Sequence, residues 1–164
     1  MSVTDKLLSN AESYAASYDK ASLPMPPGLQ VAIVACMDAR INPYGIFSLT
    51  EGDAHLIRNA GGAITEDAIR SPAISQRLLG TEEIILIHHN DCGMRTFTDE
   101  DFHRQIYADT DIRPSWAPEA FADSAEDVRQ SLARITASPF LPHKDVVRGF
   151  VYDEKTGRLT EVTP

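Results

Sequence analysis

Two short apolar runs, LQVAIVAC at 29–36 and EEIILIHH at 82–89, constrain the fold more than any other feature. Both are brief, unbroken and rich in Val or Ile, without the alternation that marks a strand with one wet face. Strands of this kind are buried on both faces, as in a mostly parallel sheet covered by helices.

The segments around them support that architecture. AHLIRNAGG at 54–62 reads as a further strand running into a Gly-rich loop. EDAIRSPAISQRLLG at 66–80 has a helical period through Ala68, Ile69, Ala73, Ile74 and Leu78, ending at Gly80. Pro72 is expected either to kink this helix or to mark its true start. DSAEDVRQSLARI at 123–135 reads as a helix with Ser124 as N-cap and Val128, Leu132 and Ile135 on one face. VVRGFVYDEKTGRLTEV at 146–162 gives two strand-like runs around the turn DEKTG. Strands alternating with helices predict an α/β fold on a central, mostly parallel sheet flanked by helices. Residues 1–21 form a helical arm whose Leu7, Leu8, Ala11, Tyr14, Ala15 and Tyr18 make one apolar stripe, joined to the body by the stiff SLPMPPG connector. The stripe needs a surface to cover it, on this chain or on a second copy.

At 164 residues the expectation is one domain, 1–164, with room for a proper core. A net charge of −9 offers no basic stripe to neutralise phosphates, which argues against nucleic acid as partner. No run approaches the ~20 apolar residues that span a bilayer, and the polar N-terminus lacks a signal-peptide core. Two cysteines are too few for a disulfide framework, so a reduced, cytoplasmic protein is expected and each thiol needs its own explanation.

Both thiols stand where strands end. CMDAR places Cys36, Asp38 and Arg40 just past the first apolar run, and HNDC places His89 and Cys92 just past the third strand. Catalytic groups of α/β folds collect at the carboxyl ends of strands. If those two strands are neighbours, two thiolates and one imidazole converge, a set that suits zinc with a fourth position left open. Asp38 and Arg40 can then pair on one side of an extended backbone, keeping the carboxylate ionised to orient a zinc-bound hydroxide; Asp38 ligating the metal is the other arrangement. Taken singly, Cys36 is more simply a small core residue and Asp38–Arg40 a surface ion pair. His88, alternating with His89, is the structural member of the two. A metal-free hydrolase with Cys36 or Cys92 as nucleophile also stays open, as does a zinc-bearing binding protein. A phosphatase loop fails because neither cysteine has Arg six positions on, and no C-x-x-C or P-loop is present.

Four blocks in order, CMDAR, EGDAHLIRNAGG, HNDCGM and GFVYDEKTGRL, resemble the β-class carbonic anhydrases from about Val31 onward. Ala39, in place of a second serine, and MPPG before the first strand resemble the compact branch of that family. The resemblance implies one Zn2+ per subunit on Cys36, His89 and Cys92, with Asp38 and Arg40 as catalytic dyad. It implies reversible hydration of carbon dioxide to bicarbonate, in a homodimer or homotetramer whose N-terminal arm reaches over a partner. The compact branch also contains carbonyl sulfide and carbon disulfide hydrolases, so carbonyl sulfide hydrolysis at the same site is the alternative activity. Ile41, Ala60, Gly61, Gly62, Ala63 and Met94 are candidates to line the cleft, with ordinary packing the competing expectation for each.

Overall fold

A computed structural model describes residues 2–164. In chain order it contains α1 (Val3–Ala16), β1 (Val31–Cys36), α2 (Pro43–Phe47), β2 (Ala54–Asn59), α3 (Glu66–Leu79), β3 (Glu83–His89), α4 (Asp99–Thr110), α5 (Ser124–Ala137), β4 (Val147–Asp153) and β5 (Arg158–Val162). The strands form one sheet in the order β2-β1-β3-β4-β5. The first four run parallel and β5 returns antiparallel to β4. The expected α/β architecture is therefore present.

Alternation along β1 explains its unbroken apolar run. Val34 packs with Ile84, Leu86, Val128, Leu132 and Ile135 beneath the helices, whereas Val31, Ile33 and Ala35 pack with Phe47, Leu49 and Leu56 on the opposite face. Both faces are covered, so every position of β1 is buried. The order places β1 between its two successors, so the strand order reverses there, and α/β sheets place their ligand sites outside the carboxyl ends of strands at such a point.

Local chemistry sets the helix ends. Thr65 Oγ1 accepts from the Ala68 N–H at 3.2 Å to start α3, and Gly80 ends it in the left-handed conformation at φ 74°. Pro72 does not mark the start of α3, which begins six residues earlier. Asp123, not Ser124, caps α5: its carboxylate accepts from the Glu126 N–H at 2.8 Å. Asp serves as well as Ser at a cap and adds charge at the positive helix end. Ser124 is released to donate its hydroxyl to the His89 carbonyl at 2.7 Å. Helices α2 and α4 escape the sequence reading; α2 is one short turn, and α4 buries none of its residues and so writes no apolar stripe.

Helix α1 also buries no residue on this chain. Leu7 and Leu8 are 59% and 61% exposed, and the side-chain hydrogen bonds from the arm to the body run from Tyr14 and Lys20 to Glu51. Among the described residues no helix is long and apolar enough to cross a membrane.

Candidate metal centre

The pairing of β1 with β3 decides the site. Val31 to Ala35 lie beside Glu83 to Ile87, so Cys36 ends its strand next to the segment that continues into His88 and His89. Alternation then separates the histidines. His88 turns towards α5, where its Nε2 meets Asp127 Oδ2 at 2.6 Å. His89 turns to the other side and joins the cysteines. One ligand atom from each of Cys36, His89 and Cys92 lies within 4.8 Å of the others, and all three residues are buried. Sequence spacing brought these three together as candidates, and the fold does so in space.

The cluster has unmet electrostatic demands. The two thiols stand 3.9 Å apart. Sharing a proton with Cys92 pulls the Cys36 thiol well below its ordinary value, while the Cys36 sulfur pushes the Cys92 thiol up. Two adjacent thiolates repel, so both ionise only beside a cation. His89 Nε2 is buried without a hydrogen-bond partner. Burial draws the His89 imidazole down, but the Cys36 thiolate and the Glu154 carboxylate outweigh it and hold the ring above its ordinary value. Two soft sulfurs and a free imidazole nitrogen fit a zinc ion.

Asp38 lies beside this cluster, with Oδ2 3.9 Å from His89 Nε2. Arg40 donates Nε to Asp38 Oδ1 at 2.9 Å and Nη2 to Oδ2 at 2.8 Å. The Arg40 guanidinium holds the Asp38 carboxyl far below the usual carboxylate range. Arg40 also reaches Asp91 through Nη1 at 2.7 Å and the Asp91 carbonyl through Nη2 at 2.9 Å, tying the β1 loop to the β3 loop.

Three participants carry no signal in sequence spacing. Arg58 on β2 donates to the carbonyls of Cys36, at 2.7 Å, and Asp38, at 2.6 Å, fixing the turn that presents Asp38. Asp91 stands inside HNDC, yet nothing in the sequence shows that it faces Arg40. Glu154 comes from the DEKTG turn and bonds His89 Nδ1. Of the candidate lining residues, Ile41, Ala60 and Met94 pack against the two cysteines. Gly62 instead backs onto the strands: at φ 73°, a Cβ there would fall 2.9 Å from Cys36 N and 3.0 Å from the Ile87 carbonyl. Gly61 likewise has positive φ, at 77°, and Ala63 is buried outside the cysteine cluster.

Comparison with known proteins agrees with this geometry. The family model described as carbonic anhydrase matches residues 31–159. The chain is 58% identical over 164 residues to Beta-carbonic anhydrase 1 of Mycobacterium tuberculosis, covering all of both chains. This chain belongs to the β-class carbonic anhydrase family. A crystal structure of a carbonic anhydrase from Streptococcus mutans superposes with a TM-score of 0.92 at 40% identity, covering 99% of each chain. At greater distance, a carbon disulfide hydrolase of Acidianus sp. is 28% identical over 179 residues, spanning 94% of this chain and 86% of the relative.

Proposed function

We propose that this chain is a zinc-dependent lyase that reversibly hydrates carbon dioxide to bicarbonate, with Cys36, His89 and Cys92 as metal ligands and Asp38 and Arg40 as catalytic dyad. The observation that carries this reading is the meeting of two thiols and a free imidazole nitrogen beside a carboxylate that Arg40 keeps ionised. Family membership and 58% identity to a β-carbonic anhydrase support the same activity. Zinc bound there would act as a Lewis acid, bringing the pKa of water to near neutrality so that a nucleophile forms under ordinary conditions.

The residues of the chain supply orientation. Asp38, being ionised, can only accept a hydrogen bond, so it takes one from the attacking water and aims the remaining lone pair at the substrate carbon. Arg40 engages both Asp38 oxygens, which supports an orienting carboxylate over one that ligates metal. Ile41, Ala60 and Met94 beside the cysteines give an apolar wall suited to a linear, uncharged substrate. The proton then passes to bulk buffer. The exposed stripe of α1 supports a homodimer or dimer of dimers in which a partner covers the arm.

Carbonyl sulfide or carbon disulfide hydrolysis is the second reading, favoured by the carbon disulfide hydrolase relative and by the same apolar wall. One zinc-quantified preparation, assayed for carbon dioxide hydration and for sulfide release from carbonyl sulfide and carbon disulfide, separates the two. Fast hydration with slight sulfide release is the expected result. Efficient sulfide release with feeble hydration transfers the site to the second reading, and no zinc-dependent turnover of any of them overturns both.

A further inference from the structure

The structure assigns Glu154 as the positioning residue of the His89 ligand: its carboxylate accepts the Nδ1 proton and holds the ring with Nε2 presented to Cys36 and Cys92. This inference rests on the metal reading proposed above.

Glu154 belongs to the turn between β4 and β5, far along the chain from either ligand segment. Its side chain is only 9% exposed, and His89 is fully buried. A carboxylate is costly to bury unless donors meet it. Two do, on the same oxygen: Oε1 accepts from His89 Nδ1 and from the Asp91 N–H, the latter at 3.0 Å. One oxygen atom therefore pins both the ligand ring and the backbone that leads to Cys92. The turn itself is braced. The Asp153 carbonyl accepts from the Gly157 N–H at 2.8 Å, and Asp153 Oδ1 accepts from the Lys155 N–H at 2.9 Å.

Neutral imidazole carries its proton on either nitrogen, and only the deprotonated one can bind metal. An acceptor fixed at Nδ1 selects the tautomer with a free Nε2, and Nε2 is the ring atom left without a partner in the cluster. Carboxylate partners of this kind also raise ligand basicity, and their loss commonly weakens metal affinity by about 10–100-fold.

The test is zinc affinity, measured by chelator competition on metal-free protein, together with the melting temperature of the metal-free form. Wild type and H89A come first. If H89A binds zinc as tightly as wild type, the metal reading fails, and Glu154 has no ligand to position. With that reading intact, E154A is expected to lose about 10–100-fold in zinc affinity, with the metal-free melting temperature little changed. E154Q keeps an oxygen acceptor for Nδ1 and is expected to recover most of that loss. Unchanged affinity in E154A overturns the assignment. So does a melting temperature that falls in step with affinity, which marks a merely structural role, or E154Q that performs no better than E154A.

Discussion

Arg40 grips Asp38 through two parallel side-chain hydrogen bonds, at 2.9 and 2.8 Å, and its backbone N–H adds a third to Oδ1 at 2.9 Å. A planar guanidinium facing a carboxylate in this way sets both its charge and its direction. The same guanidinium reaches Asp91, so the dyad is braced across the two loops that carry the candidate ligands.

The first prediction concerns that grip. Asp38→Asn replaces one accepting oxygen with a donor and breaks the match to Arg40. Hydration turnover is expected to fall by about 10²–10⁴-fold, the usual worth of a positioned proton acceptor. Zinc content and melting temperature should stay near wild type. Stopped-flow turnover on zinc-quantified protein checks it, and normal turnover would falsify the role given to Asp38.

Cys92→Ser removes one of the two sulfurs of the proposed ligand set and is expected to leave Cys36 and His89 unable to hold zinc alone. Dialysis against a chelator should then strip the variant while wild type keeps its zinc, as metal analysis of the dialysed proteins will show. Full retention by the variant contradicts the ligand set. Stripping wild type under harsher conditions should abolish turnover, and added zinc should restore it.

His88 tests the structural member of the histidine pair. Its imidazole is fully buried and meets Asp127 at 2.6 Å. Asp127→Ala leaves a buried polar ring without that partner, at an expected cost of about 1–3 kcal/mol. Urea unfolding should show a lower midpoint at unchanged slope. A midpoint equal to wild type means the contact contributes nothing to stability.

Gly62→Ala combines a left-handed backbone with a collision against main-chain atoms of β1 and β3, which have no rotamer to yield. Strain of the φ angle alone costs about 1–3 kcal/mol, so the variant should be strongly destabilised or insoluble. Gly80, also left-handed but with open space around its Cβ position, is the control. Gly80→Ala should be milder in the same unfolding measurement.

Glu51 offers a pH-dependent prediction. Its bond from Lys20 holds the carboxyl down to about 2, against 4.5 ordinarily. Because the folded value is the lower one, the contact contributes fully above about 4.5 and is lost as pH falls through about 2. NMR titration of the Glu51 carboxyl carbon should show the low midpoint, and Lys20→Ala should raise it towards the ordinary value. An ordinary midpoint in wild type would mean that Glu51 does not tether the arm in solution.

Local rules made much of this molecule legible. β1 and β3 announce themselves because strands buried on both faces must be apolar throughout. The end of α3 is legible because glycine accepts the left-handed cap at Gly80. The cap of α5 slips by one residue because Asp123 and Ser124 are equally good caps locally, and a distant acceptor, the His89 carbonyl, claims the serine. Pro72 misleads about the start of α3 because Thr65 and the acidic first turn already nucleate the helix upstream. Helix α4 is silent because an element that buries none of its residues needs no apolar period.

Residue identity and short-range spacing name the donor types, two thiols, one imidazole and one Asp–Arg pair, and put them at strand ends. That β1 lies beside β3, and that Arg58, Asp91 and Glu154 close around the thiols and the His89 ring, came only with the tertiary fold. Such contacts join residues far apart in the chain, and no local periodicity records which distant side chain will fill the last hydrogen bond of a buried ring.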